Sequence, residues 1–216
     1  MTITKFLHSC IELELEGYHL LIDPGNYCFI EGKLKPEDIP QPDNILITHS
    51  HADHMDTDAL KVLCKQNTLL PYGHKVAVEM LQKAGIQGRT AKNGDELKLG
   101  PFQVDVLEGT HAKLPSPVPP NVGYLINDSV FHPGDSFAYD IDYVDVLLLP
   151  IAGPWLNINE SLAFALAIKP KLVIPIHDGM MKGFALKSLY ENHCGPTLAA
   201  EGIGFQRLGM RESIEI

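Results

Sequence analysis

The stretch from Ile45 to Asp58, ILITHSHADHMDTD, sets His49, His51, Asp53 and His54 within six residues, directly after a short apolar run. With ten histidines in 216 residues, the pattern H-x-H-x-D-H has roughly 0.001 expected chance occurrences. Four side chains also exceed what capping the next helix requires, because one cap needs one side chain. Residues i and i+2 of an extended segment point the same way, so His49 and His51 can grip one ion together. Asp53 and His54 fall where the chain turns toward the helix and face a different spot nearby, which suggests two divalent metal ions. Neutral imidazoles with one or two carboxylates suit Zn²⁺ and also Mn²⁺ or Fe²⁺, a choice the ligand set alone does not make; Zn²⁺ is the first expectation.

A closed four-ligand site is structural, whereas a catalytic centre keeps a position for water and draws its remaining ligands from elsewhere in the chain. Three strand ends offer them: His111 in VLEGTHA, Asp135 in VFHPGDS and His177 in LVIPIHDG. Singly, each reads better as a polar residue in a turn; jointly they read as ligands. Asp23, at the end of LLIDP, either hydrogen-bonds a ligand from behind or makes an ordinary turn before Pro24 and Gly25. Trp155, after PIAGP, either walls the substrate pocket or belongs to the core. His132 suggests no chemistry, and His19, His74 and His193 read as surface residues.

These residues need elements to hold them. CIELELEG and YHLLIDPG alternate about Gly17 and predict an opening β-hairpin. NILITH predicts a buried strand, followed by a helix through ALKVLCKQ capped from Asp56–Asp58. HKVAVEMLQKAG predicts a second helix closed by Gly85, and ELKLGPFQVDVLEGTH a hairpin about Gly100 and Pro101. The proline-rich segment after His111 predicts a helix-free loop before the strands VGYLIN and SVFHPGD. VDVLLLPIAG and KLVIPIHDG predict buried strands around a helix, NESLAFALAIKP, capped by Asn159. GFALKSLYENHCG predicts a last helix ended by Gly195, before a closing strand FQRLGM. Hairpins mixed with helices favour a layered α/β sandwich, here one domain over residues 1–216.

Composition narrows the partners. The formal charge of −10 and the lack of a basic run argue against nucleic acid, whose phosphates require a basic face. Apolar runs such as VLLLPIAGPWL fall short of the ~20 residues of a membrane span, and MTITKFLHSCIELELEG does not read as a secretory signal, so no membrane and a cytoplasmic location are expected. Cys10, Cys28, Cys64 and Cys194 form no C-x-x-C pair and read as buried free thiols.

THSHADH, followed by His111, Asp135 and His177 in that order and at those intervals, resembles the metallo-β-lactamase-fold hydrolases over nearly the whole chain. The resemblance implies a four-layer αβ/βα sandwich with a dinuclear site at one edge. It further implies that His49, His51 and His111 hold one metal, that Asp53, His54 and His177 hold the other, and that Asp135 bridges them. A closer similarity is to the small cytosolic branch of the ascorbate-phosphate lactonases and uncharacterised metal-dependent hydrolases. Its members show Gly-His-Ala or Gly-His-Ser, then IDP, PIGG and PxH. Here the matching stretches are Leu7-His8-Ser9, LLIDPG, LPIAG and IPIHDG, with Leu7 and Ala152 in place of glycines. By this similarity His8 lines the substrate cavity; by its residue type alone it is equally a satisfied structural histidine.

The expected activity is hydrolysis of a small-molecule ester, a lactone or a phosphodiester, by a hydroxide bridging the two metals. Asp53 is the candidate catalytic residue, either orienting that hydroxide and accepting its proton or serving purely as a ligand. The alternatives are a non-catalytic metal-binding or sensor protein on the same fold and, against the acidic charge, a nuclease.

Overall fold

The computed structural model of the chain describes residues 1–65 and 69–216. Two seven-stranded sheets make up the β-structure of the described residues. The first contains β1 (Thr2–Leu7), β2 (Cys10–Leu15), β3 (Tyr18–Ile22), β4 (Asn44–Ile47), β5 (Tyr72–Gly73), β6 (Arg89–Thr90) and, beside β1, the last strand β14 (Glu212–Glu215). The second runs in the order β13 (Gly204–Phe205), β12 (Leu172–Ile176), β11 (Val146–Pro150), β10 (Val130–His132), β9 (Asn121–Ile126), β8 (Phe102–Gly109), β7 (Glu96–Leu99). Short turns join the antiparallel pairs β1–β2, β2–β3, β7–β8 and β9–β10, while the parallel pairs β3–β4 and β11–β12 are linked by longer crossovers. The helices are α1 (Thr57–Leu63), α2 (Lys75–Lys83), α3 (Ile158–Ile168), α4 (Gly183–Leu189) and α5 (Gly195–Ala200).

The period of two along each strand sorts side chains into three cores. Leu20, Ile22 and Leu46 of the first sheet meet Leu148, Ile174 and Ile176 of the second between the sheets. Their chain neighbours Leu21, Ile45 and Ile47 face outward onto Leu60, Leu63 and Leu81 of α1 and α2. On the far side Leu147, Leu149 and Val173 face Leu162, Ala165 and Ile168 of α3 and Leu198 of α5. Strands covered on both faces must be apolar throughout, which is why NILI and VLLL carry no polar alternation. The result is the expected four-layer α/β sandwich, helix–sheet–sheet–helix.

Several local expectations are corrected. The chain opens with three antiparallel strands, because β1 precedes the predicted hairpin. Asp56 caps α1, but the helix ends at Leu63, and Gln66 of the predicted span lies outside the described residues. The cap of α3 is Asn157, whose side chain accepts from the Asn159 amide. The last helix does not stop at Gly195: Pro196 lacks an N–H, and the chain carries the break through a π-type turn, Tyr190–Cys194, into α5. Of FQRLGM only Phe205 lies in a strand; the closing strand is Glu212–Glu215, whose exposed edge position removes the apolar signal. All four cysteines are buried and free. No helix among the described residues is long and apolar enough to cross a membrane.

Candidate metal centre

The loop leaving β4 carries His49, His51, Asp53 and His54, and it is braced from below. Asp23, fully buried and just beyond β3, accepts the Thr48 amide at 2.8 Å through Oδ1. Its Oδ2 accepts the Thr48 hydroxyl at 2.6 Å and His54 Nδ1–H at 2.7 Å. The loop then turns tightly, with the His54 and Met55 amides both donating to the His51 carbonyl. Gly25 lies so close beneath it that a Cβ there would overlap the Asp53 carbonyl.

The second sheet delivers the other candidates. His111 follows β8, and its Nδ1–H donates to the Ala112 carbonyl at 2.6 Å. Asp135 follows β10; its amide donates to Asn121 Oδ1 at 3.0 Å, and its carbonyl accepts from Ala112. His177 ends β12, with Nδ1–H donating to the Ala152 carbonyl. His8, Asp23 and His177 all hold left-handed backbone, with φ of 56°, 52° and 60°. That conformation is disfavoured away from glycine by roughly 1–2 kcal/mol, and strain of this kind gathers at functional sites.

All seven sequence-predicted ligands converge. His51 Nδ1 lies 3.1 Å from His49 Nε2 and 3.2 Å from His111 Nε2, and Asp135 Oδ2 faces the latter two at 3.8 and 3.6 Å. Asp135 Oδ1 faces the other way, 3.1 Å from His54 Nε2 and 3.2 Å from His177 Nε2. Asp53 Oδ2 closes that second group, 3.5 Å from His177 Nε2 and 3.9 Å from His54 Nε2. His8 Nε2 approaches the same Asp53 oxygen at 3.2 Å.

The protons are placed for coordination. Nδ1 of His49 donates to Thr48 Oγ1, and Nδ1 of His54, His111 and His177 donates to Asp23, Ala112 and Ala152, so each Nε2 turns a lone pair inward. Buried polar atoms are normally paired, yet His54 Nε2, Asp135 Oδ1 and His177 Nε2 make no hydrogen bond. Lone pairs that converge without bonding one another are the donor set of a cation, and imidazole with carboxylate fits a divalent metal.

Charge agrees with geometry. Burial opposes the ionised forms of Asp53 and Asp135, but the surrounding imidazoles hold both carboxyls well below the usual range. Burial likewise drags His54 and His177 down, but Asp135 with Asp23 or Asp53 outweighs it, lifting His54 well above its ordinary value and His177 to about 9. This half of the site therefore demands positive charge, met by protons on those imidazoles until a cation takes their place. On the other side burial, reinforced by neighbouring imidazoles, depresses His49 and His51, which keeps them neutral and ready to ligate.

Trp155 stands over the centre, its ring 5.5 Å from His177 and 6.2 Å from His111, and packs on Phe137. Beside it an open apolar groove of about 530 Å³ runs along Ala152, Pro154, Ile158 and Met181.

Four further residues escaped the sequence reading. Thr48 and Asn121 hold the ligand loops as described. His132 is fully buried, with Nε2–H donating to the Ser9 carbonyl and Nδ1 accepting the Gly134 amide. Lys5 is buried with Nζ 2.6 Å from Asp178 and 2.8 Å from the Pro175 carbonyl, on either side of the candidate ligand His177 in the chain. A polar residue immediately past an apolar strand, as Thr48 is, was the available signal; for Lys5 there was none.

A family model described as the beta-lactamase superfamily domain matches residues 2–177. Protein Rv0786c of Mycobacterium tuberculosis is 35% identical over 84% of this chain and 85% of its own length. The UPF0173 metal-dependent hydrolase MK1542 of Methanopyrus kandleri is 29% identical over 83% of this chain and 84% of its own. Among solved structures, Igni18, a metallo hydrolase from Ignicoccus hospitalis, shares the fold with a TM-score of 0.75 at 24% identity, covering 100% of this chain and 98% of that one. The metallo-beta-lactamase fold protein YhfI from Bacillus subtilis does so with a TM-score of 0.71 at 18% identity, covering 100% and 99%. By its matched domain, its relatives and its sandwich of two sheets, the chain belongs to the beta-lactamase superfamily, among the metal-dependent hydrolases of the metallo-β-lactamase fold.

Proposed function

We propose that the protein is a dinuclear hydrolase of a small ester, with His49, His51 and His111 holding one divalent cation, Asp53, His54 and His177 the second, and Asp135 spanning both. The observation that carries this reading is Asp135 itself: one buried carboxylate presents Oδ1 to one nitrogen group and Oδ2 to the other. Zn²⁺ is the metal expected first, with Mn²⁺ or Fe²⁺ served by the same set. Bound there, a cation pair supplies an acidified water and a Lewis acid for a carbonyl or phosphoryl oxygen, which suits a lactone or a phosphodiester.

The side chains do the rest. Nδ1–H donors and carbonyls hold each imidazole in the ligating tautomer. Asp53, whose side chain is 20% exposed, is reached by solvent and is placed to orient the attacking water and take its proton. Trp155 and Phe137 exclude water on one side. Exposure of Asp53 and half-burial of His51 favour catalysis over a closed, non-catalytic metal site. The acidic charge favours a small substrate over nucleic acid, and residues 1–216 act as one hydrolase domain.

Elemental analysis followed by a screen over lactones, phosphodiesters, phosphomonoesters and thioesters tests this. Two equivalents of metal are expected, with turnover of an ester class. His49→Ala is expected to remove one equivalent and to lower turnover more than ~100-fold, beyond the range typical of outer partners. Full activity in metal-stripped protein refutes the reading; two equivalents without turnover on any ester favour a metal-binding protein.

A further inference from the structure

His8 sits among the candidate ligands without an obvious task. One donor atom each from His8, Asp53, His54 and His177 lies within 4.8 Å of the others, the arrangement of a four-ligand site. The hydrogen bonds of His8 say otherwise. The Gly179 amide donates to His8 Nδ1 at 3.1 Å, which consumes that lone pair and leaves the ring proton on Nε2. Nε2–H then points at Asp53 Oδ2, 3.2 Å away. With Nδ1 facing an amide N–H, the ring proton cannot move there, so Nε2 cannot free a lone pair for a metal without leaving the ring anionic.

The surroundings over-determine this pose. His8 is fully buried at a left-handed φ of 56°, and its own carbonyl accepts the His177 amide at 3.1 Å. Its ring lies 4.0 Å from the His177 ring and 4.9 Å from Tyr27. Gly179 approaches so closely that a Cβ there would meet the His8 Cβ at 3.1 Å and Nδ1 at 3.2 Å. One residue in the turn between β1 and β2 thus binds the segment leaving β12 on one side and a ligand of the β4 loop on the other.

We infer that His8 is a positioning residue and not a metal ligand: the Gly179 peptide selects its Nε2–H tautomer, and that N–H fixes Asp53 for the second cation. The inference rests on the dinuclear reading above. Two variants separate the halves of the relay, because glutamine places an amide N–H where Nε2–H lies and asparagine places an oxygen where Nδ1 lies. In Zn²⁺ titrations of metal-free protein, His8→Gln is expected to keep the affinity of the second equivalent within about threefold, and His8→Asn to weaken it ~10–100-fold while the first equivalent is retained. Equal behaviour of the two variants overturns the inference.

Should either variant fail to fold, the wild type decides. Nitrogen-15 spectra of histidine-labelled, Zn²⁺-loaded protein are expected to show His8 protonated on Nε2 and bare on Nδ1. The opposite tautomer, or the signature of a zinc-bound Nε2, overturns it. Wild-type protein that takes up fewer than two equivalents removes the dinuclear reading and this inference together, and is distinguishable because the variants play no part in it.

Discussion

Asp23 shows how much of the site's chemistry is decided by a residue that stands outside the proposed ligand set. One of its oxygens takes both the Thr48 hydroxyl and His54 Nδ1–H. The hydroxyl so oriented turns its lone pair to His49 Nδ1, so one buried carboxylate fixes the tautomers of two imidazoles, one in each metal group. Asp23→Asn keeps size and shape but replaces an acceptor by a donor on one side of the carboxylate. The one remaining oxygen then serves either the Thr48 amide or the side shared by the Thr48 hydroxyl and His54 Nδ1–H, and with the NH2 on the shared side the tautomer of His54 is no longer enforced. The expected outcome is a ~10–100-fold loss of metal affinity, the range for outer partners of a ligating histidine. Stability should fall by about 1–3 kcal/mol from the unpaired buried donor. Isothermal titration with Zn²⁺ and denaturant unfolding read the two effects separately. Wild-type affinity in the Asp23→Asn variant would show that packing alone holds His54.

Among the elements, the segment beyond β3 acts as a shelf for the ligand loop. The Asn26 amide donates to the Ala52 carbonyl, the Asp56 amide to the Pro24 carbonyl, and Gly25 has no room above it. Gly25 has φ −87°, which any residue adopts, so alanine there is opposed only by contact, with overlap at the Asp53 carbonyl and 2.5 Å to the His54 amide nitrogen. Gly25→Ala is therefore expected to lift the loop at Asp53 and His54, the two candidate ligands of the proposed second cation, costing about 1–3 kcal/mol as overpacking does. Metal analysis should show the second equivalent lost before the first. Gly17→Ala, at φ 77° in open space, should lower the melting temperature without touching metal content. The contrast also explains what was legible. His49 to His54 could be read because their spacing is local, and His111, Asp135 and His177 because apolar strands announce where they end. The shelf could not, since Gly25 looks like any turn glycine until Asp53 is placed over it. Likewise the π-type turn at Tyr190–Cys194 and the edge strand Glu212–Glu215 answer to neighbours distant in the chain, which local periodicity does not see.

At the scale of the whole molecule, the two proposed cations draw ligands from both sheets, so the spacing between sheets at this edge becomes the spacing within the site. Cross-sheet bonds cluster there: the Thr48 carbonyl accepts the Val122 amide, the Ile47 carbonyl accepts Tyr124 Oη–H, and the His8 carbonyl accepts the His177 amide. One more is ionic. Lys5 of β1 reaches Pro175 and Asp178 at the end of β12, 170 and 173 residues away in the chain, and Asp178 also accepts the Tyr190 hydroxyl at 2.6 Å. Both charged groups are nearly sealed from water, with side-chain exposures of 2% and 8%. Breaking such a pair strands a charge in a low-dielectric place, whereas removing both charges does not. Lys5→Met alone is expected to cost about 3–5 kcal/mol, measured by denaturant unfolding. Adding Asp178→Asn removes the stranded charge while keeping an acceptor for Tyr190, and should return all but about 1–2 kcal/mol. If the double variant is as unstable as Lys5→Met, the stabilisation lies in the lysine's packing and its bond to Pro175, and the ion pair is not what joins the sheets. If it recovers stability yet binds the second metal more weakly than wild type, the pair serves mainly to hold β12, and with it His177, in register with the β4 loop.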